Sequence, residues 1–197
     1  MAKAGRTRRG GSAAARFEAI FSTTYPRVVA YVLRRAENRE AAEDAVSETF
    51  LVAWRRIDDV PEEPLPWLLG TARKVLANQR RSARRRVPDG PRSDPGAVEV
   101  PDRGTPVADR VADRDAFAAA FARLGPVDRE TLTLIAWDGL EPREAAEVVG
   151  CTAAAFSVRV HRARRCLLKE LEATGHSLGD GSTGPLYPPR PDAAEAR

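Results

Sequence analysis

The 197-residue chain is 43% hydrophobic, enough for one domain of average size or two small ones. Its 32 Lys and Arg against 28 Asp and Glu leave a net charge of only +4, and no apolar run approaches the ~20 residues a membrane span needs. The basic N-terminus lacks the apolar stretch of a secretion signal, so the protein is expected in the cytoplasm.

In chain order, residues 1–15 read as a disordered basic tail. Residues 16–86 read as a first helical domain. Phe17, Ile20 and Phe21 keep helical spacing, and Val28, Val29, Val32 and Leu33 resume it after Pro26, which is expected to split the stretch into two helices. A further helix is expected from about Glu40 to Ile57, with Ala42, Val46, Phe50, Val52, Ala53, Trp54 and Ile57 on its apolar positions. Its other face carries Glu40, Glu43, Asp44 and Glu48. The segment DDVPEEPLP breaks the pattern, and a third helix starts near Pro66, a residue suited to a first turn. That helix bears Trp67, Leu68, Leu69, Ala72, Val75 and Leu76, and then turns basic. Arg73, Lys74, Arg80, Arg81, Arg84, Arg85 and Arg86 fall in a stretch without a single acid.

Residues 87–107, rich in Pro, Gly and Asp, read as a flexible linker. A second helical domain follows over residues 108–173. Val111, Phe117, Ala120, Phe121 and Leu124 form one stripe, and Leu132, Leu134, Ile135 and Trp137 another. A short helix from Pro142 to Val149, a turn at Gly150 and an N-cap at Thr152 lead into a last helix carrying Arg159, Arg162, Arg164, Arg165 and Lys169. Ala146, small where two helices approach, and Gly150, four residues later, give this stretch the form of a helix-turn-helix. Such a unit presents the first turns of its second helix to the major groove, with arginines further along to hold phosphates. Residues 174–197, rich in Gly and Pro, read as a disordered tail.

Cys151 and Cys166 on one helix would lie about 22 Å apart, from a rise of about 1.5 Å per residue, so they are expected to be free thiols, buried as small hydrophobes. With His161 and His176 they form no metal-ligand spacing. There is no phosphate loop and no nucleophile with a base beside it, so neither a cofactor nor an enzyme activity is expected. No strand is expected, and the fold class is all-α. Two separated basic helices suit a polyanion. From the residues alone a stand-alone helix-turn-helix regulator stays open, although it leaves Asp44, Glu48 and the first basic helix without a role.

Two stretches, EAAEDAVSETFLVAWRRID with PWLLGTARKVLANQRR, and LGPVDRETLTLIAWDGLEPREAAEVVGCTAAAFSVRVHRARRCL, resemble regions 2 and 4 of bacterial RNA polymerase sigma factors of the extracytoplasmic-function (ECF, group IV) subfamily. The resemblance covers most of residues 16–173 in the family's order. It implies two helical domains that bind core RNA polymerase, through its beta-prime clamp helices and beta flap, and direct it to promoter DNA. The first domain recognises and helps melt the minus-ten element, and the second recognises the minus-thirty-five element. It also implies an anti-sigma factor as partner.

Asp44, Glu48, Phe50 and Trp54 match the family's D-x-x-x-E-x-F-x-x-x-W pattern, which assigns Asp44 and Glu48 to the polymerase. Phe50 and Trp54 read as core. Trp67, Arg73, Asn78, Arg80 and Arg81 are the candidates on the minus-ten side. Asn78 is suited to a base edge, the arginines to phosphates, and Trp67 to stacking or to the core. The Asp58–Pro66 loop matches the family's minus-ten loop but is unusually acidic. Thr152, Ala153, Ser157, Arg159 and Arg162, with Ala154 and Val158 between them, match the positions facing the minus-thirty-five element. Here Ser157 replaces the common Lys, and Phe156 is expected to pack inside.

Overall fold

The computed structural model describes residues 4–86 and 108–173; the expected linker at 87–107 and tail at 174–197 lie outside the described residues. Among the described residues the elements are seven α-helices and one 3-10 turn, with no strand. The chain divides into two compact units. No described helix is long and apolar enough to cross a membrane.

The first unit is built on α1 (Ala4–Leu33), α2 (Arg39–Arg55) and α3 (Pro64–Arg86), each packed on the other two. Helix α1 corrects two expectations. It begins at Ala4, inside the segment read as a tail, and it runs through Pro26 without dividing. An internal proline costs about 3 kcal/mol. Against that stands one continuous buried face on both sides of it, Ile20 and Thr24 before and Val28, Tyr31 and Val32 after. Each buried apolar side chain contributes about 1.5–3 kcal/mol, so packing wins. Just before the proline, the hydroxyls of Ser22 and Thr23 donate to the Ala19 carbonyl and that of Thr24 to the Ile20 carbonyl.

Asn38 caps α2: its Oδ1 accepts from the Ala41 N–H at 2.8 Å. A 3-10 turn, Ile57–Asp59, follows, with Ile57 and Val60 turned inward. Helix α3 starts two residues earlier than expected, with Pro64 and Pro66 both in its first turn, where a missing N–H has no intrahelical partner to lose. Leu68, Ala72, Val75 and Leu76 then pack inward.

The helices of the second half are α4 (Ala108–Arg123), α5 (Pro126–Ala136), α6 (Pro142–Val149) and α7 (Ala153–Ala173). Helix α7 packs on both α4 and α5. Phe121, Leu124, Leu132 and Ala163 form the core there, with Phe117, Trp137, Cys166 and Leu167 against it. The buried Arg129 closes the end of α4: its Nη2 donates to the carbonyls of Ala122 at 2.6 Å and Leu124 at 2.9 Å. These are among the acceptors a helix end leaves without intrahelical donors. Both cysteines are free thiols, half-buried rather than fully enclosed.

Candidate nucleic-acid interface

Helix α3 turns about 100° per residue, which sorts its polar residues onto two faces. Trp67, Thr71, Lys74, Asn78, Arg81 and Arg85 recur at intervals of three and four and form one stripe away from the buried Leu68, Ala72 and Val75. Lys74, Asn78, Arg81 and Arg85 are exposed, while Trp67 is half-buried with the Arg56 guanidinium 5.8 Å from its ring centre. Within the stripe Arg81 Nη2 donates to Asn78 Oδ1 at 2.5 Å. The contact holds both side chains on the outer face and leaves the Asn78 amide nitrogen to donate. Arg73 and Arg80 lie about a third of a turn away and are half-buried. Arg80 donates to the Arg35 carbonyl just beyond the end of α1, and the Arg35 guanidinium lies 3.7 Å over the ring of the buried Tyr31. Of the five candidates on this side, Asn78, Arg81 and Trp67 therefore share a surface, while Arg73 and Arg80 flank it and Arg80 ties two helices together.

Asp44 and Glu48 are exposed on one face of α2, and Leu51, 45% exposed, continues that face one turn on. Both carboxylates line a cleft of about 440 Å³ that α3 closes with Asn78, Gln79 and Arg80. Acid from α2 and polar groups from α3 thus meet in one depression. Phe50 is buried as expected. Trp54 is not: it is 45% exposed, its ring edge-on to Phe17 at 5.3 Å. Phe17 of α1 covers it in part, so the pattern of aromatic spacing overstated its burial. In the acidic loop, Asp59 is paired with Arg56 at 3.0 Å, both largely exposed. That partly neutralises one of the charges that would repel phosphate.

The helix-turn-helix forms as the residues dictate. At the start of helix α6 the Glu144 carboxylate reaches back and accepts from the Glu141 N–H at 2.7 Å. Ala146 is buried, and its carbonyl accepts from the Cys151 N–H at 2.9 Å across the turn. Gly150 sits at φ +73, where a side chain would be strained. Thr152 caps α7, its Oγ1 accepting from the Ala155 N–H at 3.2 Å. Phe156, Val160, Ala163 and Leu171 face inward, Phe156 completely.

Ala153, Ala154, Ser157, Val158, His161, Arg162, Arg164 and Arg165 of α7 are all exposed. Ser157 Oγ donates back to the Ala153 carbonyl at 3.0 Å. Arg159 is half-buried at the flank. Arg162 is held from outside its own helix: Nε and Nη2 donate to Asp128 Oδ1 at 3.0 and 2.7 Å. That hydrogen bond, and then the carboxylate charge, hold the Arg162 pKa above its ordinary value.

Ala154 and Val158 stand among the matched positions, and helical phase adds His161 and Arg165 on α7 and Lys74 and Arg85 on α3. Counting outward from Phe156, the pole of α7 opposite the core is Ala154, Val158, His161 and Arg165, and Val158 is 69% exposed. Lys74 and Arg85 join the α3 stripe in the same way. The signal that finds them is helical phase measured from the buried residues. Selection by residue type favoured Arg73 and Arg80 instead.

An outward basic stripe beside an acidic cleft, and a helix-turn-helix whose second helix exposes small, polar and basic side chains, are features that suit a nucleic-acid partner. Residues 20–86 match the family described as Sigma-70 region 2, and residues 114–167 the one described as Sigma-70, region 4. The chain is 30% identical over 152 residues to the ECF RNA polymerase sigma factor EcfG of Rhodopseudomonas palustris, covering 76% of this chain and 82% of that one. It is 32% identical over 149 residues to the ECF RNA polymerase sigma factor SigL of Mycobacterium tuberculosis, covering 74% and 82%. Among solved structures it is similar to the sigma factor RpoE of Bartonella quintana in complex with the anti-sigma factor NepR, with a TM-score of 0.60, 26% identity, and coverage of 79% of this chain and 96% of that one. CnrH, solved with the cytosolic domain of CnrY, shares the fold at a TM-score of 0.52, with 22% identity and coverage of 80% and 88%. The chain belongs to the ECF sigma factors, which direct RNA polymerase to promoters. Because the match spans both units, the stand-alone regulator is set aside.

Proposed function

We propose that this sigma factor divides its work among three surfaces. The outward stripe of α3 holds the minus-ten strand, with Asn78 on a base edge, Arg81 and Lys74 on phosphates, and Trp67 as a stacking platform at its start. The exposed pole of α7 reads the minus-thirty-five element. Ala153, Ala154 and Ser157 let the helix approach closely, Val158 meets a thymine methyl, Arg162 reaches a base, and Arg159 and Arg165 hold phosphates. Asp44 and Glu48, with Leu51 beside them, bind the clamp helices of core polymerase through basic side chains of that partner, and the second unit meets its beta flap. The carrying observation is that each unit turns a basic helix outward opposite its core while α2 turns carboxylates outward. The protein acts in the cytoplasm and carries no catalytic centre of its own.

An anti-sigma factor is the proposed regulator. Phe21, Tyr25, Val29 and Leu33 of α1 line a largely apolar cleft of about 900 Å³ with Val46 and Phe50 of α2. This surface suits an amphipathic segment, and the similar RpoE was solved with an anti-sigma factor bound. Gel filtration with purified core polymerase tests the main reading. The wild-type protein is expected to co-migrate with core, and the charge-reversed Asp44→Lys, Glu48→Lys variant to separate from it. Undiminished co-migration of a folded variant would remove these two residues from the polymerase contact.

A further inference from the structure

Arg162 of α7 is held by a residue 34 positions earlier in the chain. Asp128 lies in the first turn of α5, where the positive end of the helix favours a carboxylate. Its side chain is 15% exposed and that of Arg162 is 57% exposed, so the acid is set back and the guanidinium stands forward. Both hydrogen bonds use one edge of the fork, Nε and Nη2, and both end on the same oxygen. The other edge of the fork, Nη1 with the second Nη2 hydrogen, is the pair that guanine O6 and N7 accept in the major groove. A long arginine left to itself loses rotamer freedom when it binds, and a side chain fixed beforehand loses less.

We propose that Asp128 is a positioning residue that presents the outer edge of Arg162 to a guanine of the promoter. The inference rests on α7 being the helix that reads the minus-thirty-five element. The same carboxylate repels the phosphate backbone, so it weakens contact with DNA in any other register. Asp128 thus raises selectivity and lowers non-specific affinity together. A mere strut between α5 and α7 would raise neither selectivity at one base pair nor non-specific binding on its removal.

The test uses full-length protein assembled with core polymerase and a panel of duplex promoters varied one base pair at a time through the minus-thirty-five element, with 7-deazaguanine at each guanine. Asp128→Asn, Asp128→Ala, Arg162→Ala and the Asp128→Ala, Arg162→Ala pair are compared, each checked by its melting curve. Arg162→Ala is expected to abolish preference at one guanine. Asp128→Asn is expected to lower preference at that same position by about fivefold, with higher affinity for unrelated DNA. In the Arg162→Ala background Asp128→Ala should change preference at that base pair no further. Wild-type selectivity in Asp128→Asn, or a loss spread evenly over all positions, would overturn the proposal while Arg162→Ala still showed that α7 reads DNA. A wild-type holoenzyme indifferent to the whole element would instead overturn the reading of α7.

Discussion

The two basic helices order their polar side chains differently. On α3 the outward pair is internal to the helix: Arg81 and Asn78 are three residues apart and bonded at 2.5 Å. On α7 the exposed Arg162 takes its order from Asp128 of another helix. A local contact of the first kind holds wherever the helix holds. The second holds only when α5 and α7 are packed. Arginine in a loosely held stripe suits phosphates, which lie along the whole backbone, whereas an arginine fixed by tertiary structure suits one base at one place. The difference separates strand holding by the first unit from sequence reading by the second.

The largest expected effect comes from breaking the packing that the second arrangement needs. Phe156→Ala empties a fully buried site and is expected to destabilise the helix-turn-helix by about 3–5 kcal/mol, read from chemical unfolding. Promoter selectivity should fall with it, and minus-ten strand binding should not. Next, Arg81→Ala with Asn78→Ala is expected to weaken opening of the minus-ten region by about 1–3 kcal/mol, seen as slower fluorescence change of 2-aminopurine placed in that element. The Arg73→Ala variant, on the flank, should do less; an equal effect would dissolve the distinction between the two faces of α3. Val158→Ser is expected to cost about 1 kcal/mol at a single thymine, and replacing that thymine by deoxyuridine should erase the difference between the two proteins. Comparable in size is Asn38→Ala, which removes the cap of α2 and should lower stability by about 1 kcal/mol, with a matching drop in melting temperature and no change in selectivity.

How much of this was legible in the residues follows the same division. Helix α6 has the bounds its proline and glycine signals set, and Thr152, Gly150 and Phe156 take the roles that local chemistry assigns them. Pro26 misled because a proline's local cost is visible in sequence, while the buried face of α1 that outweighs it is a property of three packed helices. Trp54 misled for the converse reason, its spacing being that of a core residue at a place the neighbouring helix only half covers. In the site, residue type pointed to both basic helices, and helical phase alone sorts Lys74, Asn78 and Arg81 from Arg73 and Arg80. The bond from Arg80 to the Arg35 carbonyl and the pair of Arg162 with Asp128 join residues 45 and 34 positions apart. No periodicity encodes such contacts; they exist only once the helices have docked.

The central claim, that this chain is the specificity subunit of RNA polymerase, is tested most directly by run-off transcription from a library of duplex promoters with purified core polymerase. Transcripts that depend on the protein and share a pair of upstream elements are the expected result, with initiation lost when Asp44 and Glu48 are reversed to lysine. A core enzyme that stays silent and fails to bind the protein, while the protein alone retards duplex DNA, would contradict the account.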